Sequence, residues 1–300
     1  DIELETFIDS IDISDNIGKE IVLLVQTNIA NNFTFYTDSN GMEMQQRILN
    51  YRPTWNFTTV QPSSGNYYPV NSAIYVEDPN TGERVTVVTD RSQGGTSLQP
   101  GQIELMVHRR LVCDDGRGVG EALLETDRVT GKGLAQWFTH NLIFTKPGTE
   151  SQQRTVQFNN DQPPVVALGV VTSKTMRTLK PVARDLFNLD DTFTLPQNVK
   201  VLIKTTNSSS FVIWFHNLNE NISLQVDDSF FETAFGGYSF YALSELSLSA
   251  NQLKSDVLAN KLAWNNQTVS PLTLNRDYED GVVSLRPLEI RTIQVDVQWQ

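Results

Sequence analysis

The sequence predicts an all-β protein made of antiparallel β-sandwich domains. Runs of five to nine residues rich in Val, Ile, Thr and aromatic side chains recur along the chain, as in EIVLLVQT, RVTVVTD and SFVIWFHN. Clusters such as DPNTGE, QPSSGN and LQPGQ separate these runs and supply the residues that turns require. A helical period is clear only in SANQLKSDVLANKLAW, residues 249–264. Many short strands with frequent turns are typical of β-sandwiches.

The first strand-like segment is DIELETFIDSIDI, in which Ile2, Leu4, Ile11 and Ile13 alternate with polar residues. Two interpretations are open. It is either an ordinary edge strand, or a strand whose pairing partner lies on another polypeptide, in a product trimmed from a longer chain.

A domain boundary is predicted in ESQQRTVQFNNDQPPVV, residues 150–166, because this stretch is polar and contains two prolines. The length of 300 residues is enough for about two domains. We therefore expect a large β-supersandwich portion over 1–160 and a smaller β-sandwich region over 161–300.

The charge balance argues against polyanionic partners. The chain has 35 acidic and 23 basic residues, a formal charge of −12 and a pI of about 4.7, so its surface should repel nucleic acid and anionic lipid. No apolar run approaches the roughly 20 residues that a membrane helix needs. An acidic pI is compatible with an acidic compartment.

Single residue types add weaker expectations. The only cysteine, Cys113, excludes an internal disulfide, and we expect it to be a buried thiol. Trp137, Trp214 and Trp299 lie in strand-like runs and are expected in the core. Five N-x-S/T sequons are compatible with a secretory route and with glycosylation; they are at Asn32, Asn56, Asn207, Asn221 and Asn266.

No metal or catalytic constellation stands out in this chain. His108, His140 and His216 are dispersed, and zinc requires three or four converging ligands, so structural roles are expected for them. A nucleophile elbow is absent. The adjacent aspartate pairs, such as Asp190 and Asp191, point to opposite faces if they lie on strands, so turns are the expected place for them.

The segment VHRRLVCDDGRGVGEALLE, residues 107–125, is the main candidate for a binding site. A phosphate loop is disfavoured because GRGVG lacks the Lys-Ser/Thr ending. The glycines should permit a tight loop, and Asp114 and Asp115 could hold the Arg117 guanidinium by forked hydrogen bonds. A structural ion-paired turn and one wall of a sugar site both remain open.

Four blocks of the sequence resemble the C-terminal half of lysosomal and plant vacuolar α-mannosidases, the family 38 glycoside hydrolases. They are FYTDSNGMEMQQRILNYRPTW (35–55), GNYYPVNSAIYVED (65–78), LQPGQIELMVHRRLVCDDGRGVGEAL (98–123) and LRPLEIRTIQVDVQW (285–299). The resemblance is densest over 35–123 and looser over 125–280.

The resemblance implies a retaining, zinc-dependent enzyme that releases terminal mannose from N-glycans in the vacuole or lysosome. Its zinc and its catalytic residues would lie on an N-terminal catalytic chain. The present chain would be the smaller subunit of a two-chain enzyme of the jack bean type, not catalytic alone, within a higher oligomer of that unit. Its other partner would be a mannose-containing oligosaccharide.

The resemblance also implies roles for the loop. Arg117 and Gly118 would line the mannose pocket, while Asp114 and Asp115 orient the arginine. Two other classes remain as alternatives: a stand-alone carbohydrate-binding β-sandwich, and a structural shell or coat protein.

Overall fold

The computed structural model describes residues 1–38, 40–118, 120–149, 151–162, 198–207, 209–235, 238–262 and 282–299. The chain divides into two compact units, Asp1–Pro163 and Pro164–Gln300. All strand ladders in the described ranges are antiparallel. The predicted all-β, antiparallel fold class is confirmed.

The described residues of the first unit form ten strands in two sheets. Their bounds are β1 Ile2–Ile8, β2 Lys19–Gln26, β3 Thr34–Asp38, β4 Met44–Ile48, β5 Tyr68–Val70, β6 Ala73–Glu77, β7 Arg84–Thr89, β8 Gln93–Thr96, β9 Gln102–Arg110 and β10 Gln136–Thr145. A six-stranded sheet has the order β1-β10-β7-β6-β3-β4, and a four-stranded sheet has the order β2-β9-β8-β5.

The core of the first unit lies between these two sheets. Phe35, Ile74, Val87 and Leu142 of the six-stranded sheet share one apolar cluster with Leu105 of the four-stranded sheet. The period of two along each strand explains why these side chains meet between the sheets, because alternate side chains of a strand point to the same face of its sheet. Strand β7 lies inside the larger sheet, and all six of its residues are buried.

A helix, α1 Ser151–Asp161, packs on the six-stranded sheet. The prediction of a polar linker over 150–166 did not include this helix. Val156 joins a small apolar cluster with Val88 and Ile143, while Gln153 and Gln157 are buried polar residues. Because its buried positions are largely polar, the segment lacks the apolar stripe that marks a helix in sequence.

The second unit has six strands and two helices in its described part. Their bounds are β11 Val199–Asn207, β12 Ser210–Asn217, β13 Leu224–Val226, α2 Asp228–Phe235, β14 Tyr238–Leu246, α3 Lys254–Ala259, β15 Val283–Leu285 and β16 Ile290–Trp299. A four-stranded sheet has the order β11-β12-β16-β14, and β13 pairs with β15.

An aromatic cluster organises the core of the second unit. Phe215 of β12 contacts Phe230 and Phe231 of α2, with ring centroids 5.2 and 5.9 Å apart in edge-to-face geometry. Val226 and Leu285, from β13 and β15, belong to the same cluster. The helix and the small sheet therefore cover one face of the four-stranded sheet.

The helical stretch predicted over 249–264 is shorter in the structure, where α3 has six residues. Residues 263 and 264 of that stretch lie outside the described ranges. Helix α2 was not predicted, because Phe230 and Phe231 in DSFFETAF read as a strand-like aromatic run. No described helix has the length and apolar character needed to cross a membrane.

Candidate functional site

The described residues between β9 and β10, 111–118 and 120–135, belong to a long loop that carries the predicted binding residues. Asp114 Oδ2 accepts a hydrogen bond from the Gly116 backbone N–H at 3.0 Å. Asp115 Oδ1 accepts one from the Arg117 N–H at 2.9 Å. Each aspartate thus closes a local turn with the backbone two residues on.

The glycines of this loop adopt backbone conformations that side chains disfavour. Gly116 has a φ of +68° and Gly118 has a φ of +148°. A Cβ atom at either position would have no heavy atom within 4 Å. The glycines are therefore required by backbone geometry and not by lack of space, as the sequence predicted.

The Arg117 guanidinium makes no ion pair in the part of the chain that the structure describes. The expected forked hydrogen bonds from this guanidinium to Asp114 and Asp115 are absent among the described residues; each carboxylate instead accepts a hydrogen bond from a backbone amide. A short aspartate reaches the amide two residues away more easily than a neighbouring guanidinium. Arg117 is exposed, so its donors are available for a ligand or a partner.

A cleft of about 440 Å³ lies beside the loop. It is lined by Gln93 of β8, Met106 and His108 of β9, and Leu123 and Glu125 of the loop. Four further residues, from these strands and from the segment before β8, complete the lining. His108 Nε2 lies 3.0 Å from the carbonyl oxygen of Leu134, which ties β9 to the end of the loop. The cleft combines an amide, an imidazole, a carboxylate and apolar side chains.

His108 and His140 both lie beside Phe138 of β10, with ring centroids 6.5 and 6.4 Å from its ring. His140 is buried, its Nε2 is 3.1 Å from Gln93 Oε1, and burial lowers its pKa. His216 is also buried, in β12 of the second unit. Within the described ranges, no three His, Cys, Asp or Glu side chains converge as metal ligands. These residues do not fit a zinc site.

Two burial predictions were wrong. Cys113 is exposed, because it follows the end of β9 and enters the loop instead of continuing the buried strand. Trp137 lies in β10 but is 63% exposed and packs against Phe7 of β1, with ring centroids 4.8 Å apart and the rings tilted by 42°. Trp214 is half-buried, with Nε1 donating to the Leu248 carbonyl oxygen at 2.9 Å. The side chain of Trp299 lies outside the description.

Four of the five sequon asparagines are exposed: Asn32, Asn56, Asn207 and Asn221. Asn266 lies outside the described residues. Exposure of an asparagine depends on the tertiary structure, since Asn31, which is not a sequon, is buried beside the exposed Asn32.

Comparisons of the sequence with known proteins lead to one family. Residues 1–117 match the family described as "Glycosyl hydrolases family 38 C-terminal domain". A crystal structure of an α-mannosidase from Enterococcus faecalis V583 aligns with 91% of this chain and 25% of its own, at a TM-score of 0.46 and 16% identity. At this level of structural similarity, the assignment rests on the sequence relatives.

The sequence relatives cover nearly all of the chain. A lysosomal α-mannosidase of Felis catus is 36% identical over 100% of this chain, and one of Dictyostelium discoideum is 32% identical over 97%. A probable α-mannosidase of Arabidopsis thaliana is 31% identical over 99%. In each case the chain spans 30% of the relative's length. The chain therefore belongs to the family 38 glycosyl hydrolases and corresponds to the C-terminal part of the α-mannosidases in that family.

Proposed function

We propose that this chain is the β-rich subunit of a zinc-dependent, retaining α-mannosidase that hydrolyses terminal α-mannose residues of N-glycans. The chemistry takes place on an N-terminal catalytic chain, which also holds the zinc. The present chain supports that chain and completes the rim of its sugar pocket. The family match and the names of the relatives support the activity.

The observation that carries this proposal is the state of Arg117. Its guanidinium is exposed, has no ion pair among the described residues, and stands on a backbone fixed by Asp114, Asp115 and two flanking glycines. A guanidinium presents several N–H donors in a planar fork, which suits pairs of sugar hydroxyls. Gly118 adds a backbone that a sugar can approach without side-chain obstruction.

The proposed location of the zinc and the catalytic residues on another chain accounts for the residue types present at this site. The described part of this chain offers a donor loop and a polar cleft but no zinc ligand set. The relatives named lysosomal support an acidic lumen, vacuolar or lysosomal, as the location. Glycosylation of the sequons and a higher oligomer of the two-chain unit belong to the same proposal.

The first test replaces Arg117 with Ala in the assembled enzyme. We expect kcat/KM for an α-mannoside to fall about 10-fold or more, because a charged contact to the sugar that strengthens in the transition state contributes about 1.4 kcal/mol. Arg128→Ala is the matched control, since Arg128 is another exposed arginine of the same loop. Equal kinetics for both variants and the wild type would remove Arg117 from the site.

A second candidate function is a stand-alone carbohydrate-binding module. The exposed Trp137 ring, which packs against Phe7, favours it, because sugars pack on aromatic faces. Titration of the isolated chain with mannose separates the two proposals. Saturable binding that Trp137→Ala abolishes would support the module, whereas mannosidase activity that requires a second polypeptide supports the subunit.

A further inference from the structure

The β-sandwich of the first unit has two lateral sides, and they differ in how their strand edges are protected. On one side, the outermost strands of the two sheets are β4 and β5; on the other, they are β1 and β2. Ile8 of β1 and Leu23 of β2 contribute to one apolar cluster, which places these two strands on the same side. An outermost strand exposes unpaired backbone N–H and C=O groups.

The β4/β5 side has the usual protective features. Strand β5 has only three residues, and its central one is Pro69, which donates no hydrogen bond. Strand β4 reads MQQRI and is mainly polar. Short, polar or proline-containing edge strands discourage pairing with other chains.

The β1/β2 side, here called the open edge, has fewer such features. Strand β1 pairs with β10 through seven consecutive residues and contains neither proline nor a register shift. Strand β2 has eight residues, with one irregularity between Ile21 and Val22. No ladder joins β1 to β2 in the described part of the chain. The outer edge of β1 is therefore a regular template for one more strand.

Large apolar side chains flank the open edge on the faces of both sheets. Ile2 and Phe7 of β1 are 51% and 50% exposed, and Leu24 of β2 is 52% exposed. Val22 of β2 and Trp137 of β10, the neighbour of β1, extend the apolar surface. Exposed apolar patches of this kind mark interaction surfaces in monomeric units.

The charge near the open edge is mainly negative, although β2 begins with Lys19, whose Nζ lies 2.8 Å from Asp15 Oδ2. The first fifteen residues contain Asp1, Glu3, Glu5, Asp9, Asp12 and Asp15 and no lysine or arginine. A partner that covers this region should therefore carry basic residues, because like charges would repel it.

The candidate glycans of the first unit lie away from the open edge. Asn56 is in the loop between β4 and β5, and Asn32 precedes β3, the neighbour of β4. Glycans at both positions would leave the open edge free for a protein partner.

We propose that the open edge binds an extended segment of the catalytic polypeptide, apolar and basic in composition, which pairs with the outer edge of β1 as a further strand. This inference rests on the proposed function. The relatives contain further polypeptide that could supply this strand, because the chain spans only 30% of their length. Backbone pairing would supply the affinity, and the apolar side chains would set the position of the added strand.

Amide hydrogen exchange tests this inference on the enzyme purified from its natural source and on the 300-residue chain alone. In the chain alone, alternate amides of Ile2–Ile8 point away from β10 and should exchange quickly. In the assembled enzyme, those amides should exchange at least 10-fold more slowly, because a strand hydrogen bond protects each of them. Fast exchange in both samples would overturn the inference.

Charge reversal gives a second test. It is carried out on the assembled complex, so it remains valid even if this chain does not fold alone. Co-expression of the catalytic polypeptide with Glu3→Lys/Glu5→Lys should yield at least 10-fold less complex than the wild type. The control, Glu43→Lys/Glu83→Lys, makes the same change of net charge at two exposed positions away from the open edge. Equal loss in both variants, or none in either, would overturn the inference.

The possible failures can be distinguished. If no second polypeptide copurifies and activity is present, both the proposed function and this inference fail. If a catalytic polypeptide copurifies but cross-links only to surfaces away from β1 and β2, the inference alone fails. Cross-links between β1 strands of two copies of this chain would replace the proposed occupant with a second copy.

Discussion

His140 is a buried imidazole in β10, and its environment predicts a pH effect on stability. Burial lowers its pKa below the usual 6.5, while Asp90 and Arg91 act on it in opposite directions. As the pH falls through about 6.5, the unfolded chain binds a proton there more readily than the folded one. The stabilisation that comes from neutral His140 is thus complete above that pH and decreases below it.

We therefore expect His140→Gln to reduce the dependence of unfolding on acidic pH. Denaturant unfolding at pH 7.5 and pH 5 should show a smaller loss of free energy for the variant than for the wild type. Gln can keep a hydrogen bond to Gln93, the present partner of His140 at 3.1 Å. An identical loss in both proteins would show that His140 does not cause the effect.

Glu245 and Arg291 form a buried ion pair in the second unit. Arg291 Nη2 lies 2.8 Å from Glu245 Oε2, and its Nε lies 3.1 Å from Oε1. Lys254 contacts the same carboxylate. Burial acts to raise the pKa of Glu245, but hydrogen bonds from Arg291 and Lys254 outweigh it and lower that pKa. The stabilisation is present above about pH 4.5 and is lost as the pH falls through the lowered pKa.

Replacement of Glu245 by Gln should destabilise the second unit by about 3 kcal/mol, because it removes the charged partner of a buried guanidinium. Denaturant unfolding at pH 7 measures this. Asp256→Asn, at an exposed carboxylate of α3, is the control. A loss of unfolding free energy below about 1 kcal/mol would mean that solvent stabilises the Arg291 guanidinium in place of the Glu245 carboxylate.

At the scale of elements, α1 is attached to its sheet largely by polar contacts. Arg154 Nη1 donates to the Gly41 carbonyl oxygen at 3.0 Å, and Gln157 Nε2 donates to Ser72 Oγ. Asp38 organises the sheet beneath the helix, since it accepts hydrogen bonds from the backbone N–H groups of Gly41, Ser72 and Ala73. The helix thus depends on an acceptor more than a hundred residues earlier in the chain.

Asp38→Ala should therefore destabilise the first unit by about 3 kcal/mol or more, since three amides lose a buried acceptor. Asp78→Ala is the matched control, because Asp78 accepts a backbone N–H in an exposed turn. Its loss should stay below about 1 kcal/mol, because water can replace the acceptor. Similar values for the two variants in chemical denaturation would contradict this role of Asp38.

At the scale of the whole molecule, the sequons give a prediction about the route of the protein. In enzyme from its natural source, Asn32, Asn56, Asn207 and Asn221 should carry glycans, because all four are exposed. Glycopeptide mass spectrometry before and after enzymatic deglycosylation measures the occupancy of each site. Four unmodified asparagines would contradict the secretory route and the lumenal location.

The loop that carries Arg117 illustrates how far sequence alone could be taken. The glycines predicted its unusual backbone correctly, because a positive φ is a property of the single residue. The hydrogen-bond donors to Asp114 and Asp115 differ from the predicted guanidinium, because a carboxylate can accept from a nearby backbone amide as well and the sequence does not decide between them. The role of Arg117 toward a sugar stays a prediction.

The sequence by itself determined the all-β class and the family, because strand period, turn residues and motif blocks are local in the chain. Only the tertiary structure decided which strands lie at the edges, that Trp137 is exposed, and that residues 151–161 form a docked helix. These features depend on pairing between distant segments, as between Ile2 and Leu142. Local patterns state that a side chain is apolar or polar, but burial is fixed by what packs against it.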